Sequence, residues 1–493
     1  MCEELKNQII DHLLTIGCCK YCCLRYLNIR KEDSYLNIEQ FMSDVKSSEE
    51  TISIKRVRPN PCIACLGLLQ DFVIDEIIQN VQLNTAAEYD SKTFTCSVSM
   101  PVNILLREHL VKIDLKRKFP DFYKDDTQET QLNKIWKVVI KNKLASKLNK
   151  TFQNSVICNF SVNIILDYED EDQELKLLQK AAPNHFKTRT QQRKKYSGEI
   201  YTRKDILNLL SEIKDDNILK HCPVPPEVPL KWLKCKSIEC KHNPIYFAGR
   251  YCKYSRELSQ SPWIIDGVKT METSVQEIIF NEIHKIFGIP LNNLKFTASG
   301  REDCDVRCLG RGRPFYIEIN DPRVTEFSFE QFRTLEKAIN LSKMIKVQDL
   351  QPTVREDLCQ IKKGEETKTK QYIALCIVEG PVSDEKINIL NQSAPLEIFQ
   401  DTPIRVLHRR PLATRKKTIH EMKASRVPEK DNMFKLNVVT QAGTYIKEFV
   451  HGDFDRTVPN VCSLIGMEVD ILALDVIAIN LDWPKPINYE NGT

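Results

Sequence analysis

The spacing of hydrophobic positions changes along this chain, and the spacing predicts its elements. Residues 5–30 show helical spacing around a group of cysteines, whereas 31–58 are polar and charged with weak periodicity. A helix-like apolar run follows from Leu66 to Ile78. Thr93 to Met100 alternates apolar and polar side chains, as a half-buried strand does, and Val156 to Leu166 is a stronger strand rich in β-branched residues. Between them, Val102 to Lys118 and Gln131 to Leu148 have the period of helices and carry many lysines and arginines. Residues 181–204 are basic and poor in apolar side chains, which predicts an exposed loop. Pro223, Pro225, Pro226 and Pro229 cannot continue a helix and predict a linker, so the main domain boundary is expected between there and Asn243.

The C-terminal half is more regular. Ser274 and Glu277 have capping-box spacing, Ile278, Ile279, Ile283 and Ile286 follow on one face, and Gly288 with Pro290 marks a stop. Pro314 to Ile319, Tyr372 to Val378, Phe434 to Val439 and Ile471 to Ile479 read as strands. Arg405 to Lys417 reads as a loop dense in arginine and lysine. No internal repeat stands out.

Length and composition narrow the class. A chain of 493 residues exceeds one ordinary domain, and two or three are expected. A hydrophobic share of 42% builds substantial cores, while 28% charged residues and 15 glycines exclude a wholly disordered or fibrous protein. The net charge of +4 is too small to identify a partner, but the basic residues cluster locally. Met1 to Asn7 is polar and acidic with no signal-like apolar core, and no run approaches the ~18–20 apolar residues of a spanning helix. A soluble intracellular protein, nuclear and/or cytoplasmic, is therefore expected, and a monomer is the expected state. In that setting the 18 cysteines stay reduced, so paired ones favour metal over disulfide, and others such as Cys158 and Cys376 serve as small buried hydrophobes.

Few motifs carry chemistry. Cys19-Lys-Tyr-Cys22 and Cys62-Ile-Ala-Cys65 are two Cys-x-x-Cys knuckles, a set of four thiolates that closes a tetrahedral Zn²⁺ site with no open position for a catalytic water. Cys18 and Cys23 adjoin the first pair and blur its register. Gly310-Arg-Gly-Arg-Pro314 lacks both the third glycine of a dinucleotide fingerprint and the Gly-Lys-Ser/Thr of a P-loop, so a turn is expected there. His408, His420 and His451 show no metal spacing. Gly300-Arg-Glu-Asp-Cys-Asp-Val-Arg307 sets carboxylates among arginines, and Gly443-Thr-Tyr-Ile-Lys447 puts a lysine where a strand runs into a helix. A carboxylate kept ionised by a base is what a nucleophilic or proton-abstracting aspartate requires. On the residues alone, Asp303 and Asp305 compete for that role, and a surface loop of mutually neutralising charges is the simpler alternative.

These segments, with Gly249-Arg-Tyr251 through Trp263, Lys368-Thr-Lys-Gln-Tyr372 and Arg405-Val-Leu-His-Arg-Arg-Pro411, resemble in order the THUMP-containing pseudouridine synthases of archaea and eukaryotes, which act on uridines 54 and 55 of tRNA. The resemblance is specific over 245–485 and rests on the cysteines and a THUMP pattern over 1–240. It implies an α+β protein with a zinc-binding segment over 1–90, a THUMP-like RNA-binding domain over 91–240 and a catalytic domain over 245–488, a mixed sheet flanked by helices. It selects Cys19, Cys22, Cys62 and Cys65 as the zinc ligands. It makes Asp303 the catalytic carboxylate, Tyr372 the residue stacking on the uracil, Lys447 the base paired with the aspartate, and Leu464 the apolar residue near it, with Asp305 bonding locally to Arg301 or Arg307. Arg301, Arg409 and Arg410 become substrate contacts, and the arginines of the Gly310 segment candidates for RNA phosphate. Asp455 stands where the family leads one to expect glycine. The substrate would be tRNA, with other structured RNA as a further candidate, and no organic cofactor is needed. Two rivals are a non-catalytic RNA-binding protein retaining the fold, and a THUMP methyltransferase or thiolase, which needs a cofactor loop that is not visible.

Overall fold

The computed structural model describes residues 3–45, 60–83, 85–124, 130–154, 158–187, 201–361 and 368–487. The chain divides into two compact units, residues 1–242 and 243–493. Among the described residues, no helix is long and apolar enough to cross a membrane.

The first unit is built on a four-stranded sheet of β1 (Thr93–Ser99), β2 (Thr151–Phe152), β3 (Phe160–Asp167) and β4 (Lys234–His242), in the order β2-β1-β3-β4. β1 runs parallel to β2 and β3, while β4 closes antiparallel on β3. Helices Asn103–Lys118 and Leu132–Leu148 match the periodic runs closely and bury Trp136, Ile140 and Leu144. Of the β-branched run that opens at Val156, residues 156–157 lie outside the described residues, and the strand itself begins at Phe160. The helix expected from Leu66 begins at Asp71 instead. Leu66 and Gly67 have φ of 54° and 92°, a left-handed turn that a helix cannot pass through. Glycine is needed at 67 because a Cβ there would meet the Trp232 ring at 2.5 Å. Most of the basic stretch 181–204, including Arg193 to Lys195, lies outside the described residues, and helix Arg203–Glu212 starts within its end.

The second unit holds β5 (Ile245–Lys253), β6 (Ile264–Ile265), β7 (Val268–Lys269), β8 (Leu294–Ala298), β9 (Arg307–Ile319), β10 (Ile345–Thr353), β11 (Lys370–Val378), β12 (Leu396–Gln400), β13 (Arg415–Val427), β14 (Lys430–Thr440), β15 (Thr457–Val458) and β16 (Val469–Ile479). Apart from the β6–β7 hairpin they form one mixed sheet, β10-β5-β9-β16-β11-β14-β13-β12-β15, with β8 also on β9. Every neighbour pair in it is antiparallel except β9–β16, which run parallel and pair only at Arg307–Asp475 and Cys308–Val476. A cleft opens near this middle pair, lined by Arg313 of β9 and by Leu474 and Val476 of β16. Separate cores pack around Phe247, Phe315 and Leu335 and around Leu436, Phe449 and Val461.

The helix expected after Ser274 spans Val275–Phe287. Ser274 Oγ accepts the Glu277 N–H at 3.2 Å, and Gly288 ends the helix in the left-handed region at φ 68°. Gly310-Arg-Gly-Arg-Pro314 is not the expected turn. It lies inside β9, where a Cβ at 310 would strike the Ile477 carbonyl oxygen at 2.1 Å and one at 312 the Tyr251 oxygen at 2.6 Å. These glycines admit close strand approach. The loop expected over 405–417 likewise ends early, because β13 starts at Arg415.

Candidate active site

The cleft at the middle of the sheet has a volume of about 500 Å³. Four segments meet there: the loop between β8 and β9 with Arg301 and Asp303, the start of β11 with Tyr372, the stretch carrying Arg405, Arg409 and Arg410, and the start of helix Ile446–His451 with Lys447. Val306, Leu474 and Val476 give it an apolar wall. Cations outnumber carboxylates among its lining side chains, so an anionic ligand is favoured. Leu464 does not line it. That side chain packs instead with the core around Phe449 and Val461.

Exposure separates the three clustered carboxylates. The Glu302 side chain is 1% exposed and paired with Arg313 at 2.6 Å, with the Tyr251 hydroxyl donating to it at 2.8 Å. Burial opposes the charge on Arg313, but Glu302 outweighs it and raises the pKa, so Arg313 stays charged, and Glu302 is buried against it. Asp305 is 64% exposed and lies outside the cleft lining. Asp303, at 33%, is the aspartate the cleft presents.

Charges alternate across the site. Arg405 donates from Nη1 to Asp303 at 2.7 Å and from Nε to the buried Glu448 at 2.6 Å. Lys447 Nζ lies 3.6 Å from Asp303 but contacts both oxygens of Asp305 at 2.9 and 2.7 Å. The order is Glu448–Arg405–Asp303–Lys447–Asp305, which differs from the expected single pair of Asp303 with Lys447. Asp305 bonds neither Arg301 nor Arg307, since Arg307 is engaged by Asp475 at 2.5 Å. Burial raises the Asp305 carboxyl, but the hydrogen bond and charge of Lys447 outweigh it and leave its pKa below the usual range. Arg405 and Glu448 went unassigned from sequence, although Arg405 opens a recognised segment and Glu448 directly follows another, because nothing local says that they meet.

Tyr372 sits in β11, opposite Val438 on one side and Val476 on the other. Burial pushes its phenol up to about 12, against the opposing charge of Arg313, so at neutral pH its ring is an uncharged surface in the cleft. Lys447 is set by Gln400, whose amide accepts the Tyr445 N–H and donates to the Tyr445 carbonyl, both at 2.9 Å, at the head of the helix. Beyond that helix, Asp453, Phe454 and Asp455 all have positive φ, with Asp455 at 62°. That is why glycine suits position 455, and the aspartate bears the strain of the turn. The arginines of the Gly310 segment are used internally: Arg311 contacts Asp482 and Asp349, and Arg313 is buried.

In the first unit, Cys19, Cys22, Cys62 and Cys65 bring their sulfurs within 4.8 Å of one another, close enough to hold a metal ion. A tetrahedral site with ~2.3 Å metal–sulfur bonds has edges of about 3.8 Å, and Cys19 Sγ to Cys65 Sγ is 3.9 Å. The Cys19 N–H points at Cys62 Sγ at 3.2 Å and Arg25 at Cys22 Sγ at 3.6 Å, donors that suit thiolates. Cys18 and Cys23 are buried but outside the set.

Comparison with known proteins agrees across both units. Residues 246–480 match a family model described as "Pus10, C-terminal", and 62–240 one described as "Eukaryotic Pus10, N-terminal". The chain is 35% identical to the tRNA pseudouridine synthase Pus10 of Xenopus laevis, covering 99% of each chain. It is 37% identical to that of Homo sapiens over 93% of this chain and 85% of the relative. It is 38% identical to that of the archaeon Thermofilum pendens over 50% of this chain and 55% of the relative.

Proposed function

Because this chain belongs to the Pus10 family of pseudouridine synthases, which are isomerases, we propose that it isomerises uridine 54, uridine 55 or both in the TΨC arm of tRNA, with Asp303 as the catalytic carboxylate. The observation that carries this reading is the placement of Asp303: partly exposed in a cationic cleft beside the Tyr372 ring, with Arg405 at 2.7 Å and Lys447 at 3.6 Å.

The target base in folded RNA must leave its stack to reach a side chain, at a cost of a few kcal/mol. Stacking on Tyr372, worth about 1–3 kcal/mol, and phosphate contacts from Arg301, Arg409 and Arg410 offset that cost. Asp303 then assists cleavage of the N1–C1′ bond, the base rotates, and C5 joins C1′. C5 gives up its hydrogen and N1 gains a proton, so no redox partner, group donor or organic cofactor is required. Arg405 and Lys447 set positive charge beside the carboxylate. A non-catalytic RNA-binding role fits less well, since the aspartate, tyrosine and lysine all reach one cleft.

The first unit would grip RNA as a THUMP-like domain, its four cysteines holding one structural Zn²⁺. A second cleft there, about 440 Å³ in volume and lined by Arg30, Lys134, Lys137, Lys141 and Phe152, supports that reading. Mapping pseudouridine in tRNA from cells lacking the protein tests the substrate. Loss at 54, 55 or both is expected, and an unchanged TΨC arm would exclude it.

Two variants probe the division of labour. Lys447→Met should lower kcat about 10- to 100-fold, ~1.4–2.7 kcal/mol of barrier, with tRNA affinity nearly intact. The loss stays partial because Arg405 remains 2.7 Å from Asp303. An unchanged kcat would assign the whole counter-charge to Arg405. Arg409 and Arg410 are exposed and line the cleft, whereas Lys416 is engaged by Glu397. Replacing both arginines with alanine should weaken tRNA binding and flatten its salt slope by up to about 2, with kcat at saturating tRNA nearly unchanged. Filter binding at several salt concentrations measures it, and an unaltered slope would show that neither meets phosphate.

A further inference from the structure

The loop that carries Asp303 belongs to no helix or strand, yet side chains tether its carbonyls one after another. Arg313 donates to Ser299 O at 2.6 Å, Gln260 to Gly300 O at 2.9 Å and Arg256 to Asp305 O at 2.8 Å. Between them sits Lys253, the last residue of β5 and fully buried. Its ammonium donates to Asp303 O at 3.1 Å, Cys304 O at 2.6 Å and Leu258 O at 2.7 Å.

Three donors meet three carbonyls, so the hydrogen-bonding capacity of the group is fully used on backbone. An enclosed ammonium is a poor choice for stability alone, because methionine would fill similar space without losing the hydration of a charge. Burial does push the Lys253 pKa down, with the Glu302 charge opposing. The group gives geometry in return. Two of its three acceptors are the carbonyls of Asp303 and Cys304; the first adjoins the Cα from which the carboxylate projects, and the second anchors the next peptide of the loop. A reacting carboxylate tolerates only about 0.5 Å of misplacement, and 1 Å can cost about a hundredfold in rate.

Resting on the reading of Asp303 as the catalytic carboxylate, we infer that Lys253 is a positioning residue for the reaction, holding the Asp303 and Cys304 peptides so that the carboxylate is aimed at the extruded nucleotide. Lys253 touches no substrate, so its effect falls on kcat and not on the KM for tRNA.

The test is steady-state kinetics on full-length protein with unmodified tRNA. Lys253→Met should lower kcat about a hundredfold with KM within about twofold. Lys253→Gln, which keeps two N–H donors, should fall between it and the wild type. Ile279→Val, in the core of the same unit and away from the cleft, gives the rate lost to a modest loss of stability. A kcat for Lys253→Met no lower than that of Ile279→Val would overturn the inference, and so would a defect confined to KM. If Lys253→Met does not fold, Lys253→Gln decides alone by the same criteria. Failure of both to fold would also overturn it, since the lysine would then serve folding. Asp303→Asn, assayed alongside, separates the two readings. If it is inactive and Lys253→Met normal, only the positioning role falls; if Asp303→Asn keeps its activity, the catalytic reading falls first.

Discussion

Replacing Asp303 with asparagine should abolish pseudouridine formation, by at least about 10³-fold in kcat, while leaving fold and tRNA affinity close to wild type. Asparagine keeps the shape of the side chain and can still accept a hydrogen bond from Arg405, so the cleft has no reason to collapse. What it loses is the charge and basicity that both routes to N1–C1′ cleavage require. The neighbouring carboxylates should not substitute: Glu302 is enclosed by Arg313 and Tyr251, and Asp305 lies outside the cleft lining and is held by Lys447. Mass spectrometry of tRNA nucleosides after incubation, with a binding assay on the same sample, gives both numbers. Activity retained at a tenth of wild type or more would remove Asp303 from the chemistry.

The metal should matter to the first unit as much as Asp303 matters to the second. We expect about one zinc per chain, and expect Cys22→Ser to lose it along with the cooperative unfolding of residues 1–242. Structural zinc in small sites is worth roughly 10–16 kcal/mol, comparable to the ~5–15 kcal/mol total stability of a domain. Few domains could survive that loss. The four-cysteine set joins two segments separated by 39 residues in sequence, so a bound ion would tie both knuckles at one point. Elemental analysis after a mild chelator wash and thermal melting are the measurements. A metal-free wild type that melts cooperatively would contradict the expectation. Cys18→Ser and Cys23→Ser should keep the zinc, and its loss from either would move the register of the first knuckle.

The parts of this molecule that its sequence announces are those fixed by short-range rules. Ser274 and Glu277 mark a helix because the cap is local, and β11, β14 and β16 show their apolar runs. Strands such as β4 and β13 alternate too weakly, with charged residues on an exposed face, to stand out. The Gly310 segment reads as a turn because it matches neither a dinucleotide fingerprint nor a P-loop, but its glycines, with φ of 63° and 78°, serve close contact between strands. At the site, the family resemblance brought Arg301, Asp303, Tyr372, Arg409, Arg410 and Lys447 to notice, and one cleft collects all six. Their pairing was beyond the sequence. That Arg405 and not Lys447 lies nearest Asp303, that Asp305 takes Lys447, and that Leu464 turns to the core depend on segments more than a hundred residues apart for the charges and on one helix orientation for the leucine.

Tritium release is the sharpest test of the role of Asp303. With unmodified tRNA labelled at uracil C5, each turnover frees tritium, because C5 sheds its hydrogen on becoming the glycosidic carbon. Wild-type protein should release it fully, Asp305→Asn at a reduced rate through altered loop geometry and a freed Lys447, and Asp303→Asn not above background. Release by Asp303→Asn near the wild-type rate, with Asp305→Asn silent, would rule out Asp303 and place the catalytic carboxylate two residues further along the chain.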